Sequence, residues 1–311
     1  MSDSSPWQPL VSVVLATRNR ARLLPRAANS VLRQSYAHLE LIIVDDGSSD
    51  DTAEVVVTLH DPRVHYLHQE ESHGVSAARN AGIRAARGEL VAFQDDDDEW
   101  LEKKLEKQVA ALARDGTGLN LCGHLACYAD RVVYVGGPRY FANIQPKSGY
   151  GNLALIATPG WLVRRELLFA AGLFDERIHT LEDWELALRL SEHCSFSHLD
   201  EPLYRKDRHG DERLSKDHKR IAEALQLIME RHTNKWADRP PIQARHHVLL
   251  GRMRLAMGDA AAARSSFWCA LRCTPLSIRA WLLLSLACLG HVGVQLLQWH
   301  SQRRTARSGA S

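Results

Sequence analysis

Four consecutive aspartates, at residues 95–98, are the part of this sequence whose residue types and spacing most directly indicate chemistry. They follow an apolar run, 90–93, that is typical of a buried strand, and a predicted helix starts at Trp100. Two carboxylates about 4 Å apart repel by roughly 1 kcal/mol in water and by roughly 4 kcal/mol near a protein surface. A divalent cation would turn that repulsion into attraction, because carboxylate oxygens are ligands that Mg²⁺ and Mn²⁺ prefer. A solvated acidic turn that caps the next helix is the alternative interpretation.

A second group of carboxylates follows another predicted strand, 39–44. Asp45 and Asp46 end that strand, and Thr17 and Arg18 end the first one, so all four are expected at the same edge of a sheet. Carboxylates there could accept hydrogen bonds from a nucleobase or from ribose hydroxyls. A capped Asp-Gly turn explains the same residues equally well.

Cationic residues occur in two segments where a phosphate-bearing substrate could bind. Arg79 belongs to the small-residue segment 74–82 and could reach a pyrophosphate, although an isolated arginine is more often a solvated surface charge. The polar segment 204–215 is rich in lysine and arginine and is interpreted either as a lid over a charged substrate or as a solvated loop.

An acidic pair, Glu182 and Asp183, opens a predicted helix. Acidic residues at a helix start are stabilised by the helix dipole, so capping alone is one explanation. The functional interpretation is a general base, because a carboxylate facing a cleft can take a proton from an attacking hydroxyl. Asp183 is the first choice for that role and Glu182 the second.

The elements that must position these residues alternate between strand and helix in the first third of the chain. Apolar runs at 10–16, 39–44, 64–67 and 90–93 predict buried strands, and helical periodicity occurs between them. Such alternation predicts an α/β fold with a mainly parallel sheet and helices on both faces. The following region is less regular, with a helix at 100–114, strands at 118–128 and 132–135, and strand fragments at 196–199 and 203–204.

From about residue 217 the sequence predicts helices alone, which form an all-helical C-terminal appendage. Helices at 246–257 and 260–273 flank a Gly-Asp turn and resemble one tetratricopeptide-type hairpin. The stretch 281–299 is mostly apolar and a basic tail follows it. A packing helix, a helix on a membrane surface and a membrane span are the three alternatives for it.

Composition excludes some classes of function. The 311 residues are 45% hydrophobic and 24% charged, as in a soluble globular protein, and the net charge of +2 gives no reason to expect a nucleic-acid partner. The six cysteines form no CxxC pair, and no secretory signal precedes the first strand. We therefore expect a cytoplasmic protein.

Several motifs in order, VSVVLATRNR, LIIVDDGSSDDT, HGVSAARNAGIRAARGELVAFQDDDDEW and LEDWELALRL, resemble the family-2 glycosyltransferases of GT-A fold. The resemblance covers residues 9–215 and implies a nucleotide-sugar-binding and catalytic domain at 1–215, followed by the helical region 216–311. It implies inverting transfer of a sugar from a nucleotide-sugar, commonly a UDP-sugar, with a divalent metal, Mn²⁺ or Mg²⁺. The implied acceptor is a glycan or a lipid-linked glycan in polysaccharide biosynthesis. The C-terminal helices lie outside the resemblance, and it is their apolar stretch and basic tail that suggest peripheral contact with the inner face of the membrane through residues 281–304.

The resemblance also implies roles for individual residues. The nucleobase would be surrounded by Thr17, Arg18 and Asp45 or Asp46. Arg79 would lie near the nucleobase or the diphosphate. The ribose and phosphate would lie near Asp95 and Asp96. Asp97 would ligate the metal, which Asp98 could share. Asp183 corresponds to the catalytic base, and His209 with Arg213 to a loop near the diphosphate. Trp161 and Trp184 could stack on acceptor sugars, although large aromatic residues are more often core.

Two other function classes are compatible with the same sheet. A non-catalytic scaffold would bind a partner through the helical C-terminus, but packing alone requires neither Asp97 nor Asp183. A nucleotidyltransferase would need a glycine-rich phosphate loop after the first strand, and residues 17–20 contain no glycine.

Overall fold

The computed structural model describes residues 7–136, 157–208 and 217–290. Their contacts divide into two compact units. The first contains the described residues up to 208 and the second contains residues 217–290.

Four parallel strands and three helices begin the first unit. The strands are β1 (Val11–Thr17), β2 (Leu39–Asp45), β3 (Val64–His68) and β4 (Leu90–Asp95), and the helices between them are α1 (Leu24–Leu32), α2 (Thr52–Val57) and α3 (Val75–Ala85). Their order across the sheet is β3-β2-β1-β4, and every neighbouring pair is parallel.

β1, β2 and β4 are mostly apolar because helices cover both faces of the sheet, whereas the edge strand β3 contains two histidines. On one face, Leu24 of α1 packs in a core cluster with Val13 and Leu41. On the other face, α3 approaches so closely that a Cβ atom on Gly82 would lie 2.4 Å from Val14 Cγ1. The predicted α/β class with helices on both faces is confirmed.

The second half of the sheet is mixed. It adds the strands β5 (Glu99–Trp100), β6 (Leu119–Cys127), β7 (Val132–Val135), β8 (Trp161–Arg164) and β9 (Phe196–Asp207), and the helices α4 (Lys104–Asp115), α5 (Arg165–Ala170) and α6 (Glu182–His193). The described strands run β3-β2-β1-β4-β8-β6-β9-β5, with β7 on β6. β8 is antiparallel to both of its neighbours, whereas β6 and β9 are parallel.

Two predictions about element boundaries in the first unit are wrong, and in the second unit the helix predicted at 246–257 starts earlier, at Pro240. The helix expected from Trp100 starts at Lys104, because residues 99–100 pair with residues 204–205 as β5. The predicted fragments 196–199 and 203–204 belong to one strand, β9, whose pairing with β6 shifts register around Gly123. The continuous strand carries its last residues, including Lys206, beyond the predicted end.

The second unit is helical in its described part. It contains α7 (His218–Arg231), α8 (Thr233–Trp236), α9 (Pro240–Ala256), α10 (Ala260–Cys273) and α11 (Ile278–Cys288). α9 and α10 form a hairpin in which Gly258 adopts a positive φ of 86° and the Asp259 side chain caps α10. Within residues 7–136, 157–208 and 217–290, no helix is both long and apolar enough to cross a bilayer. Of the predicted stretch 281–299, only the part up to residue 290 is described.

Candidate active site

The carboxyl ends of β1, β2 and β4 lie side by side at one edge of the sheet. The register pairs Thr17 with Asp45 and Ala16 with Asp95, so the last residues of the three strands are neighbours. Helical crossovers between parallel strands return the chain to the same end of the sheet, which explains why distant motifs meet there.

Three carboxylates of the aspartate run converge at this edge. Ligand oxygens of Asp95, Asp97 and Asp98 all lie within 4.8 Å of one another, and we call these residues the aspartate cluster. Asp98 is completely buried, and neither of its carboxylate oxygens makes a hydrogen bond of normal geometry. Asp96 is not part of this group, and its carboxylate accepts a hydrogen bond from Thr17 Oγ1 at 2.9 Å. The cluster therefore includes Asp95, for which the resemblance implied a place near the ribose and phosphate.

Negative charge accumulates in the cluster and shifts its pKa values. Burial, together with Asp95 and Asp97, raises the pKa of Asp98 well above its ordinary value. Burial and Asp95 also raise the pKa of Asp97. Burial acts in the same direction on Asp95, but Arg79 and Lys206 hold the pKa of that carboxyl below its ordinary value. The neighbouring cations thus compensate Asp95 more fully than the other two carboxylates.

The donor set of the aspartate cluster suits a hard divalent cation. It consists of carboxylate oxygens alone, which Mg²⁺ and Mn²⁺ prefer over nitrogen or sulfur ligands. The Asp98 oxygens are buried acceptors without a normal hydrogen bond, and a cation would favour their ionised form. Asp95, Asp97 and Asp98 are the residues that would hold such an ion.

Lys206, which the sequence analysis did not single out, lies against the cluster. Its Nζ is 3.6 Å from Asp95 Oδ2 and 3.7 Å from Asp98 Oδ2. The sequence pattern predicts a polar loop at this residue, whereas it lies in β9 two positions after the buried Tyr204. Alternate residues of a strand share a face, so continuing the strand pattern past Tyr204 would have placed Lys206 on the face of that buried ring.

Arg79 links the aspartate cluster to the acidic pair of α6. Its guanidinium donates to Asp95 Oδ1 at 2.9 Å and to Glu182 Oε1 at 2.7 Å. The side chain is buried, and its guanidinium carbon lies 5.6 Å from the centre of the Phe174 ring. Carboxylates of the protein therefore bind the Arg79 guanidinium, which is predicted to lie near the nucleobase or the diphosphate. That nucleotide contact stays a prediction.

Asp183 lies in the first turn of α6, two positions after a strained residue. Leu181 adopts a positive φ of 64°, which is unusual for a residue other than glycine. Asp183 Oδ1 accepts a hydrogen bond from the Trp184 backbone at 2.7 Å. Burial, reinforced by Glu182, raises the pKa of Asp183 to about 8. A carboxylate with a pKa near the working pH is a stronger base than an ordinary aspartate.

Asp45 and Asp46 are bonded within the protein. Asp45 accepts hydrogen bonds from the Ser48 backbone at 2.8 Å and from the Tyr66 hydroxyl at 2.6 Å. Asp46 accepts three hydrogen bonds from the loop 72–74, which leads into α3. Since a carboxylate offers about four acceptor positions, little capacity is left for a ligand. The hydrogen bonds support a role for both aspartates in shaping the neighbouring loops. Their direct contact with a nucleobase stays a prediction.

The other donor-binding residues expected from the resemblance occupy different surroundings. Thr17 is buried and bonded to Asp96, whereas Arg18 is exposed and has no hydrogen-bond or ion-pair partner within the described part of the chain. His209 and Arg213 lie outside the described residues.

Trp161 and Trp184, the predicted acceptor residues, are both completely buried. Trp161 begins β8 and meets the Phe93 ring edge-on, with 6.2 Å between ring centroids. Trp184 lies among the buried residues of α6. The prediction that these indoles stack on an acceptor sugar is wrong, because protein covers their faces. They are core residues.

Comparison with known proteins gives the family. The profile of "Glycosyl transferase family 2" matches residues 12–169, half of the chain. The chain belongs to this family. The aspartate cluster contains residues 95 and 97 of the family's predicted DxD motif, and the matched range also includes β1, β2 and Arg79.

Two curated family members illustrate the similarity. TuaG of Bacillus subtilis, whose name assigns it provisionally to teichuronic acid biosynthesis, is 38% identical over 120 residues, which are 38% of this chain and 48% of TuaG. The UDP-Glc:alpha-D-GlcNAc-diphosphoundecaprenol beta-1,3-glucosyltransferase WfgD of Escherichia coli is 37% identical over 106 residues, 34% of this chain and 42% of WfgD. The matches thus span less than half of either relative.

Two solved structures share the GT-A fold with this glycosyltransferase chain. S. aureus TarS 1–349 in complex with UDP-GlcNAc has a TM-score of 0.71 at 18% identity, covering 96% of this chain and 92% of that one. The Pyrobaculum calidifontis mannosyltransferase PcManGT, solved with GDP-Man and Mn²⁺, has a TM-score of 0.61 at 20% identity, covering 91% and 81%.

Proposed function

We propose that this chain is an inverting glycosyltransferase that moves a sugar from a UDP-sugar to a hydroxyl of a glycan or lipid-linked acceptor. One observation carries the proposal: Arg79 ties the aspartate cluster, at the carboxyl edge of the parallel strands, to the helix that begins with Glu182 and Asp183. A cation site for a diphosphate and a candidate base are thereby part of one bonded assembly in the first unit, which is the proposed catalytic domain.

The donor is assigned to the edge formed by β1, β2 and β4. A divalent cation held by Asp95, Asp97 and Asp98 supplies positive charge that favours departure of the nucleoside diphosphate. The nucleobase of the donor is assigned to the side of this edge that carries Thr17 and Arg18. Asp45 and Asp46 fix the loops around the nucleobase. Asp96 is assigned to the ribose side, and His209 and Arg213 to the diphosphate. The names of TarS, solved with UDP-GlcNAc, and WfgD support UDP as the nucleotide.

Asp183 is the proposed base that takes the proton of the acceptor hydroxyl. Glu182, the second choice, already accepts a hydrogen bond from Arg79, so Asp183 is the freer carboxylate. A raised pKa of about 8 makes it a better proton acceptor once it is ionised. With one carboxylate as base and none as nucleophile, the sugar is transferred in one displacement and its configuration inverts.

The acceptor is proposed to belong to polysaccharide biosynthesis. WfgD is named for a diphosphoundecaprenol-linked acceptor, which is a membrane lipid. By analogy, the helical region 216–311 is proposed to contact the inner face of the membrane peripherally through residues 281–304.

A transfer assay tests the proposed base. UDP-sugars are supplied with Mn²⁺ and a prenyl-diphosphate-linked sugar acceptor, and wild type is compared with Asp183→Asn and Glu182→Gln. Asp183→Asn is expected to reduce kcat by about 10²–10⁴ while nucleotide binding is kept. Normal transfer by Asp183→Asn together with loss in Glu182→Gln would move the base to Glu182. Normal transfer by both variants would show that neither Glu182 nor Asp183 is the general base. Absence of transfer and of nucleotide binding in wild type would favour the scaffold alternative.

A further inference from the structure

Helices α10 and α11 of the second unit expose a band of large apolar side chains. We call it the apolar band, and it consists of Trp268, Leu276, Ile278, Trp281, Leu282 and Leu289. Leu276 is 94% exposed, Ile278 76% and Leu282 61%. Contiguous exposed apolar surface of this kind marks a binding surface more often than isolated exposed leucines do.

The band follows from the two-sided apolar character of α11. Ile278, Trp281 and Leu282 recur at helical spacing and share one face of that helix, and Leu289, the residue that caps its end, continues the same spacing. The opposite face, with Ala280, Leu283 and Ala287, packs in the core of the second unit. Packing within the unit therefore accounts for only one of the two apolar faces.

Two tryptophans lie together in the band. The Trp268 and Trp281 rings meet edge-on with 6.4 Å between centroids, and Trp281 Nε1 donates to the Pro275 carbonyl at 2.9 Å. Indole side chains favour the boundary between bilayer and water, because they combine an apolar body with a polar N–H.

The charged residues of the segment that carries the band have one sign. Residues 260–311 contain six arginines but no aspartate, glutamate or lysine, although the whole chain has 37 acidic residues. Arg272 and Arg279, on the same two helices as the band, are exposed. Arginine near a membrane places its apolar stem along the bilayer and its guanidinium at lipid phosphates, which is worth about 1 kcal/mol per residue on an anionic surface.

We propose that the apolar band docks on an anionic lipid bilayer, with its tryptophans and aliphatic side chains among the acyl chains and Arg272 and Arg279 against the headgroup phosphates. A second copy of this chain is a weaker candidate, because two copies joined through the band would bring uncompensated arginines together. The proposal deepens the membrane contact of the proposed function and rests on it, but it does not depend on the chemistry of the aspartate cluster, so the two can fail separately.

The test is sedimentation of the full chain with vesicles of phosphatidylcholine, either alone or mixed with phosphatidylglycerol. The double variant Ile278→Ser with Leu282→Ser is expected to bind mixed vesicles at least about tenfold more weakly, since two aliphatic side chains are lost from the interface. Arg279→Gln is expected to weaken binding to mixed vesicles about fivefold and to change binding to neutral vesicles little. Val57→Ser, at a similarly exposed position of the first unit, is the matched control. Melting temperatures check that every variant is folded.

Direct insertion is read from tryptophan fluorescence with brominated phosphatidylcholine in the mixed vesicles. Quenching that is larger in wild type than in Trp281→Phe supports the proposal. Absence of wild-type binding to mixed vesicles, or equal binding by folded wild type and double variant, would overturn it. A wild-type dimer that ignores vesicles and becomes monomeric in the double variant would also overturn it, and would assign the band to a second copy.

Discussion

Arg79 Nη1 lies 2.7 Å from Glu182 Oε1, a bond that joins residues 103 positions apart in the sequence. The other arm of the same guanidinium holds Asp95, at the end of β4. One buried cation thus connects the acidic strand end to the helix that carries Asp183. The acidic end of β4 and the acidic start of α6 are therefore held together before any ligand binds.

Replacement of Arg79 by an uncharged residue should lower the stability of the fold. In Arg79→Gln, Asp95 and Glu182 lose a charged partner at a buried position, so we expect the free energy of unfolding to fall by about 3–5 kcal/mol. Urea titration at neutral pH measures the change. Arg114→Gln, which removes an arginine from an exposed pair with Asp115, is the matched control and should change stability little. Equal changes in the free energy of unfolding in the two variants would show that the ion pairs of Arg79 stabilise the fold no more than an exposed pair does.

Asp183→Asn should separate stability from activity. The pKa of Asp183 is about 8 in the folded chain, against about 3.9 when unfolded. Between these values the folded state binds a proton that the unfolded state does not, so wild-type stability falls as pH rises from about 4 to about 8. Asparagine has no such dependence. We therefore expect the variant to melt near wild type at about pH 4 and above it at about pH 9.

The catalytic counterpart of this expectation is a pH profile. Wild-type kcat/KM should rise with pH until Asp183 is ionised, with an apparent pKa near 8 in the free enzyme. A flat profile together with unchanged melting of Asp183→Asn at high pH would contradict the assignment of a raised pKa to this carboxyl.

Lys206 should compete with a bound metal ion. Its ammonium lies 3.6 Å and 3.7 Å from oxygens of Asp95 and Asp98, so it neutralises charge that a cation would otherwise neutralise. Lys206→Gln is expected to lower stability without metal and to bind Mn²⁺ on the order of tenfold more tightly. Calorimetric titration with Mn²⁺ alone measures the affinity. Lys103→Gln, at an exposed position, is the control, and weaker Mn²⁺ binding by Lys206→Gln than by that control would contradict the prediction.

The sequence predicts the parallel half of the fold well because its strands are long apolar runs with short connections. The aspartate run could be placed at the sheet edge for the same reason, since strand ends of βαβ units meet there. Which aspartates converge could not be predicted, because the direction of each side chain depends on the turn between β4 and β5. Asp96 turns to Thr17, whereas Asp95 joins the cluster.

Other parts of the site depend on contacts that are distant in sequence. Lys206 reaches the cluster only because β9 continues past Tyr204, and the strand pairing that extends it involves β5 and β6. Trp161 and Trp184 have residue types that suit both sugar stacking and a core. Their burial follows from the packing of β8 and α6, which periodicity alone does not reveal.

The proposed function requires the aspartate cluster to bind a metal-bound nucleoside diphosphate. The most direct measurement is calorimetric titration of UDP, with GDP and dTDP as controls, into wild type and Asp97→Asn, each with and without Mn²⁺. We expect UDP to bind wild type tightly only with Mn²⁺, and we expect Asp97→Asn to lose that dependence while remaining folded. Undiminished Mn²⁺-dependent binding by Asp97→Asn, or no nucleotide binding by wild type under any of these conditions, would contradict the claim.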